Sequence, residues 1–343
     1  MNGGNLITTP GAGRATATAG LDRHAPVVFL FPGQSSVDPA LLVRARQAHP
    51  AAEEVIHIAR RVLGPARTSV YLDPSGAPLR SNRDVQVTVF LATQMYLAGL
   101  AAEGVRSAAS AGLSLGEYSH LVDIGALAVD DALYLVDERG RCYDEAPAGM
   151  MVTVLAVDHD TVAAVVARAG ALGPIVISNY NAPTQHVIAG ARPAVEWAAA
   201  VLEDEHAAHT AVIEERVPMH SPLMAPVAAA FEPALRRAPW RTPSRPYWPN
   251  VTGTPVAKAT AADFASHLAR HVSEPVRWQV SVDALVAGRA DALFLEVGPG
   301  RVLHNMLSRA WKRLAASRVD GADAAADPAG HFRSTIEAVR ARS

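Results

Sequence analysis

The run APVVFLF, residues 25–31, is almost continuously apolar and stops at Pro32 and Gly33. A strand with one face in water alternates apolar and polar residues, so a run without alternation has to be covered on both faces, as parallel strands flanked by helices are. A second run of the same kind, ALFLEV, closes on Gly298, Pro299 and Gly300. Between them, DPALLVRARQAHPAAEEVIHIARRVL and VQVTVFLATQMYLAGLAAEG repeat apolar residues at three and four positions and are predicted helices. Half of the 343 residues are hydrophobic, enough for a sizeable core, and the pattern predicts an α/β fold.

From Met150 the texture changes. MMVTVLAV, PIVISNYN, QHVIAG and TAVIEERV have strand character, while HDTVAAVVARAG and ARPAVEWAAAVLEDEHAA have helical character. Their order, βαββαβ, is the ferredoxin-like pattern and predicts a small α+β subdomain inserted in the larger unit. The expected organisation is a disordered leader over 1–25, a large α/β domain over 26–149 and 217–318, and the small subdomain over 150–216. Residues 319–343, rich in Ala, Gly and Asp at their start, are expected to form a loose tail.

Composition excludes several function classes. The formal net charge is −2 and no long block of like charge occurs, which leaves no electrostatic footprint for nucleic acid. Cys142 is the single cysteine, so neither an intramolecular disulfide nor a four-cysteine zinc site can form, and it is expected to be a small buried hydrophobe. No signal-peptide pattern opens the chain and no later segment is expected to reach the apolar length of a membrane span, which together with the lone thiol predicts a cytoplasmic protein.

Chemistry centres on AGLSLGEYSHLVDIGAL, residues 111–127. A weak strand, VRSAASAG, leads into Gly112-Leu113-Ser114-Leu115-Gly116, and a helical pattern follows; strand, tight turn and helix form the setting of a nucleophile elbow. A serine hydroxyl needs a base within hydrogen-bond reach and donors for the oxyanion of acyl transfer. Of 13 histidines, His49, His57, His206 and His209 lie in polar stretches and are expected to be exposed. His220, in ERVPMHSPLM, follows a strand at the return to the large domain; on spacing alone it is a candidate base or a structural histidine.

Seven stretches in order, FPGQSS, GLSLGEYSHLVDIGAL, LVDERGR, NYNAPTQHVIAG, VPMHSPLM, PNVTG and EVGPGRVL, resemble the malonyl-CoA:acyl carrier protein transacylases and the discrete, trans-acting acyltransferases of polyketide synthases. The resemblance runs from about Pro26 to Leu314 and implies an α/β-hydrolase-like large domain with an inserted ferredoxin-like subdomain. It implies Ser114 as nucleophile, His220 as its base, and the main-chain carbonyl of His271 as the group orienting that base. It further implies an oxyanion hole from the main-chain N–H groups of Gln34 and Leu115, and pairing of Arg139 with the free carboxylate of a malonyl-type acyl group. Read from its neighbours Asp137, Glu138 and Arg141 alone, Arg139 could equally sit on a solvated helix face. No metal and no bound cofactor are implied; phosphopantetheine arrives on an acyl carrier protein, with a CoA thioester as possible donor.

Three departures bear on the acyl group. Leu113 stands where the family usually has histidine, Ser35 and Val37 alter the FPGQ corner, and Met219, an adaptable side chain, precedes His220. The Gly-Leu-Ser form resembles discrete enzymes that hydrolyse stalled acyl groups or move unusual acyl groups between carrier proteins, whereas Arg139 points to a carboxylate. Transfer to a carrier and hydrolysis therefore both stay open, and a catalytically silent docking protein is disfavoured by the joint presence of Ser114, His220 and Arg139. Two basic stretches, Arg236–Pro246 and Ser308–Arg318, are candidate contacts for an acidic carrier protein.

Overall fold

The computed structural model describes residues 25–34, 40–73, 75, 79, 81–321 and 324–342. All but one residue of the expected leader, together with Ser35 and Val37, lie outside them. The first part of the chain runs through β1 (Val27–Phe31), α1 (Leu41–Ala48), α2 (Ala52–Leu63), α3 (Pro65–Tyr71), α4 (Asn82–Ala102), β2 (Ala109–Gly112), α5 (Gly116–Asp123) and α6 (Val129–Asp144). The middle part holds β3 (Met150–Leu155), α7 (His159–Ala169), β4 (Ile175–Ala182), β5 (Gln185–Gly190), α8 (Arg192–His206) and β6 (His209–Glu214). The chain ends with α9 (Ala225–Arg237), α10 (Ala261–Ser273), α11 (Trp278–Gly288), β7 (Leu293–Glu296), α12 (Val302–Ala310), β8 (Ala315–Arg318) and α13 (Pro328–Arg340).

Two sheets result. The larger is all parallel with order β2-β1-β7-β8, and its central strand β1 is buried at every position, the condition anticipated from its unbroken apolar run. The smaller is antiparallel with order β4-β5-β3-β6, the ferredoxin-like arrangement, and α7 and α8 cover one face through Val162, Val165, Val195 and Leu202. In the large sheet β1 lies between β2 and β7, so the strand order reverses beside it. Open parallel sheets bind ligands at such a reversal, outside the carboxyl ends of the strands.

Local chemistry sets the element ends. The first helical pattern is split by Pro50: His49, the residue before it, takes an extended conformation and ends α1. Helix α4 starts where Ser81 accepts the Asp84 N–H. It is 21 residues long and apolar enough to cross a membrane by length and composition, which corrects the expectation that no segment reaches that length; most of it is buried within the protein.

The expected loose tail is also corrected. Residues 328–340 form α13, whose Phe332, Ile336 and Val339 are buried in the main core. The Phe332 ring lies 5.9 Å from that of His49 and 6.1 Å from that of Tyr96. His49 is accordingly half-buried instead of exposed, with Nε2 3.3 Å from Glu103 Oε1. Ala, Gly and Asp before Pro328 disguise an amphipathic helix that finds its partner only in the folded chain.

Candidate active site

The elbow begins where β2 stops. Leu113 N–H still donates to Phe31 O at 2.9 Å, and Ser114 then turns with φ 51°, a left-handed conformation that a side chain adopts at a cost. Helix α5 starts at once, so the chain passes very close to itself. A Cβ on Gly112 would lie 2.0 Å from the Gly116 carbonyl, and one on Gly116 would lie 2.1 Å from Phe31 O. These two glycines are therefore dictated by space. Ser114 itself is half-buried at the carboxyl edge of the large sheet.

His220 reaches it from the segment between β6 and α9. Its Nε2 is 2.8 Å from Ser114 Oγ, and its Nδ1 is 2.6 Å from His271 O on α10. A carbonyl oxygen only accepts, so Nδ1 carries the hydrogen and Nε2 presents a lone pair to the serine hydroxyl. Burial, and after it the positive charge of Arg139, hold the His220 pKa down at about 3, which keeps the ring neutral.

Arg139 projects from α6 and is 1% exposed, not on a solvated face. Nη1 donates to Gln86 Oε1 at 2.7 Å, and the guanidinium lies 4.2 Å above the Tyr143 ring and 5.9 Å from that of Tyr118. Nε and Nη2 are buried and have no hydrogen-bond partner among the described residues. These two nitrogens form one edge of the guanidinium fork, the edge that matches a carboxylate. The neighbouring acid, Asp137, is engaged with Arg83 and Arg67.

The main-chain N–H groups of Leu115 and Gln34 donate to no other group among the described residues. Gln34 is held by its side chain, whose Nε2 donates to Asn82 Oδ1 at 3.0 Å. Leu113 and Met219 are both buried but belong to different apolar clusters: Leu113 lies with Ala182, Trp248 and Val276, Met219 in the main core. A cavity of about 640 Å³, lined by Asn82, Tyr143, Gly149, Arg192, Glu215 and Val217 among others, opens between α4, α6 and the small sheet. Neither Ser114 nor His220 lines it.

Three residues not singled out from the sequence complete the site. Asn250 accepts the Ser114 N–H on Oδ1 at 2.8 Å and donates from Nδ2 to Gly112 O at 2.7 Å, clamping both sides of the elbow. Glu117, fully buried, accepts from Tyr247 OH and from Asn250 N–H. Asn250 stands in PNVTG and Glu117 in GLSLGEY, so the signal was present as motif membership, without a role.

The two basic stretches do not border Ser114. Arg241 N and Ser244 N bond to Ala126 O and Ile124 O beyond the far end of α5, and Arg245 bonds to Ser107 O ahead of β2. Lys312 and Arg313 lie between α12 and the start of β8, a parallel strand, and so also sit at the amino edge of the sheet. Cys142 is buried, and burial raises its thiol pKa. Among the described residues no group of three or more His, Cys, Asp or Glu could hold a metal ion.

The family described as acyl transferase domain matches residues 28–330. The chain is 31% identical over 297 residues to a malonyl CoA-acyl carrier protein transacylase of Escherichia coli strain K12, covering 85% of this chain and 95% of that protein. It superposes on FabD from Acinetobacter baumannii with a TM-score of 0.83 at 25% identity, over 93% of this chain and 100% of the other. A malonyl-transacylase solved in complex with its type II polyketide synthase acyl-carrier protein gives a TM-score of 0.82 at 26% identity, over 92% and 100% of the two chains. With a serine elbow, a histidine behind it and this match over most of its length, the chain belongs to the acyl transferase family of the malonyl-CoA:acyl carrier protein transacylases.

Proposed function

We propose that this acyltransferase moves a malonyl-type acyl group from a CoA thioester, through an ester on Ser114, to the phosphopantetheine thiol of an acyl carrier protein in polyketide assembly. The observation that carries the acyl specificity is Arg139, buried with Nε and Nη2 unpartnered. An unpaired buried cation is costly, and a substrate carboxylate on that edge would relieve it. The names of the transacylase relatives and the carrier-bound neighbour support the donor and acceptor.

His220 Nε2 takes the Ser114 proton as Oγ attacks the thioester carbonyl, and the developing oxyanion faces the N–H groups of Leu115 and Gln34. Each such donor is worth about 3 kcal/mol in the transition state. Collapse expels the CoA thiolate, which receives the proton from His220. In the second half the carrier thiol gives its proton to His220, attacks the ester, and Ser114 leaves with that proton. His271 O holds the ring throughout by accepting from Nδ1. The nucleophile, the base and the oxyanion donors in these steps are groups of this chain, and the phosphopantetheine comes with the partner. A cytoplasmic setting, where carrier proteins and CoA esters meet, fits the single buried thiol.

A second reading gives the ester to water, and the half-buried position of Ser114 favours keeping it. Intact-protein mass after brief exposure to malonyl-, methylmalonyl- and acetyl-CoA, followed by a chase with holo-carrier protein, separates the two. The expected result is a malonyl adduct that Ser114→Ala abolishes, that Arg139→Ala slows by about 100-fold, and that moves to the carrier. An adduct that drains to water with no acylated carrier makes the enzyme a hydrolase; equal labelling by acetyl- and malonyl-CoA removes the carboxylate role of Arg139.

A further inference from the structure

His271 enters the steps above only through its carbonyl, yet its ring is placed with equal care. The His271 and His220 rings are stacked, with centroids 4.7 Å apart and planes 16° from parallel. His271 Nδ1 lies 3.1 Å from Glu117 Oε2, and its Nε2 is buried without a partner among the described residues. Glu117 also accepts from Tyr247 OH on Oε1 and from Asn250 N–H on Oε2.

The hydrogen inventory of this cluster leaves one choice. The Asn250 N–H can only donate, and Tyr247, with burial and the nearby Glu117 holding its pKa well above the usual phenol range, stays protonated. With the His271 ring held neutral by its burial, the contact between Glu117 Oε2 and His271 Nδ1 then has two arrangements. Either a protonated Glu117 donates to a bare Nδ1 and the His271 hydrogen sits on Nε2, or an ionised Glu117 accepts from Nδ1–H and Nε2 is bare. One hydrogen lies between Oε2 and Nδ1 in both, and they differ by one proton, released in net from Nε2.

We propose that Glu117 and the His271 imidazole form a proton-sharing pair beneath His220, whose charge governs how readily His220 accepts the serine proton. This rests on the Ser114–His220 reading above. When the pair is neutral, the imidazolium formed on His220 lies over a neutral ring. When the pair has lost its proton, a carboxylate sits one ring behind that cation and stabilises it.

The surroundings allow both states. Burial pushes Glu117 up to about 8, with the bonds from Tyr247 and Asn250 opposing, and burial followed by the charges of His220 and Arg139 holds His271 well below the usual imidazole range. The groups facing the pair are Tyr118 on α5, Arg139 on α6, Tyr247 and Asn250 from the segment before α10, and His220 itself; the Tyr247 ring in turn meets His120 at 6.0 Å and His267 at 5.8 Å. Arg139 is the one fixed charge among them. The pair titrates as a unit, and no separate value belongs to either partner.

The test follows the acylation half-reaction alone, so that ionisation of an acceptor thiol does not enter. Single-turnover labelling of Ser114 by malonyl-CoA is measured from about pH 6 to pH 9 in the whole protein. The wild type is expected to speed up by about tenfold through about pH 8 and then level. Glu117→Gln cannot ionise and is expected to be flat at the low-pH rate; His271→Gln keeps the carbonyl that orients His220 but takes one partner out of the pair, leaving Glu117 to titrate alone, and is expected to move the midpoint of the rise. A purely structural role would lower thermal stability and leave the profile's shape unchanged, and an His271→Gln profile that superposes on the wild type overturns the proposal. Should Glu117→Gln not fold, nitrogen-15 shifts of His271 in Ser114→Ala are decisive. The hydrogen is expected to pass from Nε2 to Nδ1 across the same range, and a fixed tautomer overturns the proposal. The tautomer is read without any acyl donor, so its failure is distinct from a failure of Ser114 to be acylated.

Discussion

Asn250 shows how much of a nucleophile elbow lies outside the elbow. Ser114 is held at a positive φ, and the carboxamide of Asn250 takes its N–H while giving a hydrogen to Gly112 O on the other side of the turn. A carboxamide has a donor and an acceptor on one plane and fits both groups. Asn250→Asp keeps the acceptor for Ser114 N but sets a second acceptor against Gly112 O. It is expected to cost about 1–3 kcal/mol in urea unfolding and to slow acyl-enzyme formation. Unchanged stability and unchanged acylation would show that the clamp is dispensable.

At the scale of elements, the site depends on how closely α5 passes the ends of β1 and β2. The 2.0 Å and 2.1 Å that a Cβ would meet at Gly112 and Gly116 involve main-chain atoms, which cannot swing aside. Gly116→Ala must push α5 off the sheet and is expected to cost on the order of 3 kcal/mol and to abolish labelling of Ser114 in a fast acyl-CoA assay. Gly170→Ala is the matched control, because nothing lies within 4 Å of its Cβ position. Equal labelling rates in the two variants would mean that the close approach does not position the serine.

At the scale of the molecule, the last helix closes the core. Phe332 of α13 reaches the rings of His49 and Tyr96, and Ala25 N–H, ahead of β1, donates to Arg342 O at 2.9 Å, joining the two ends of the described chain. Phe332→Ala leaves a ring-sized cavity and is expected to cost about 3–5 kcal/mol, read as an earlier thermal midpoint. Ser114 lies beyond the opposite edge of the large sheet, so acylation below the transition should be retained. A midpoint equal to wild type would return residues 319–343 to the loose tail first expected of them. The same packing explains α4, whose membrane-like length is spent inside the protein.

Residue order alone determined the strands that close on Pro32-Gly33 and Gly298-Pro299-Gly300, the βαββαβ insertion, and the elbow around Ser114, because each is written in local periodicity and turn chemistry. It was silent on β8, since AASR has neither alternation nor β-branched residues, and on α13, whose apolar stripe has meaning only against α1 and α4. It offered His220 and Arg139 as residue types with an expected use. Their arrangement, one neutral beside Ser114 and the other buried with an open edge, came from folding. Tertiary structure alone decided the Asn250 clamp and the Glu117–Tyr247–His271 cluster. The Asn250 and Tyr247 bonds to the elbow join residues 130 or more positions apart. The spacing of neighbours along a chain carries no information about a hydrogen bond across such a distance; the packing of α5 against α10 and the segment before it makes that bond.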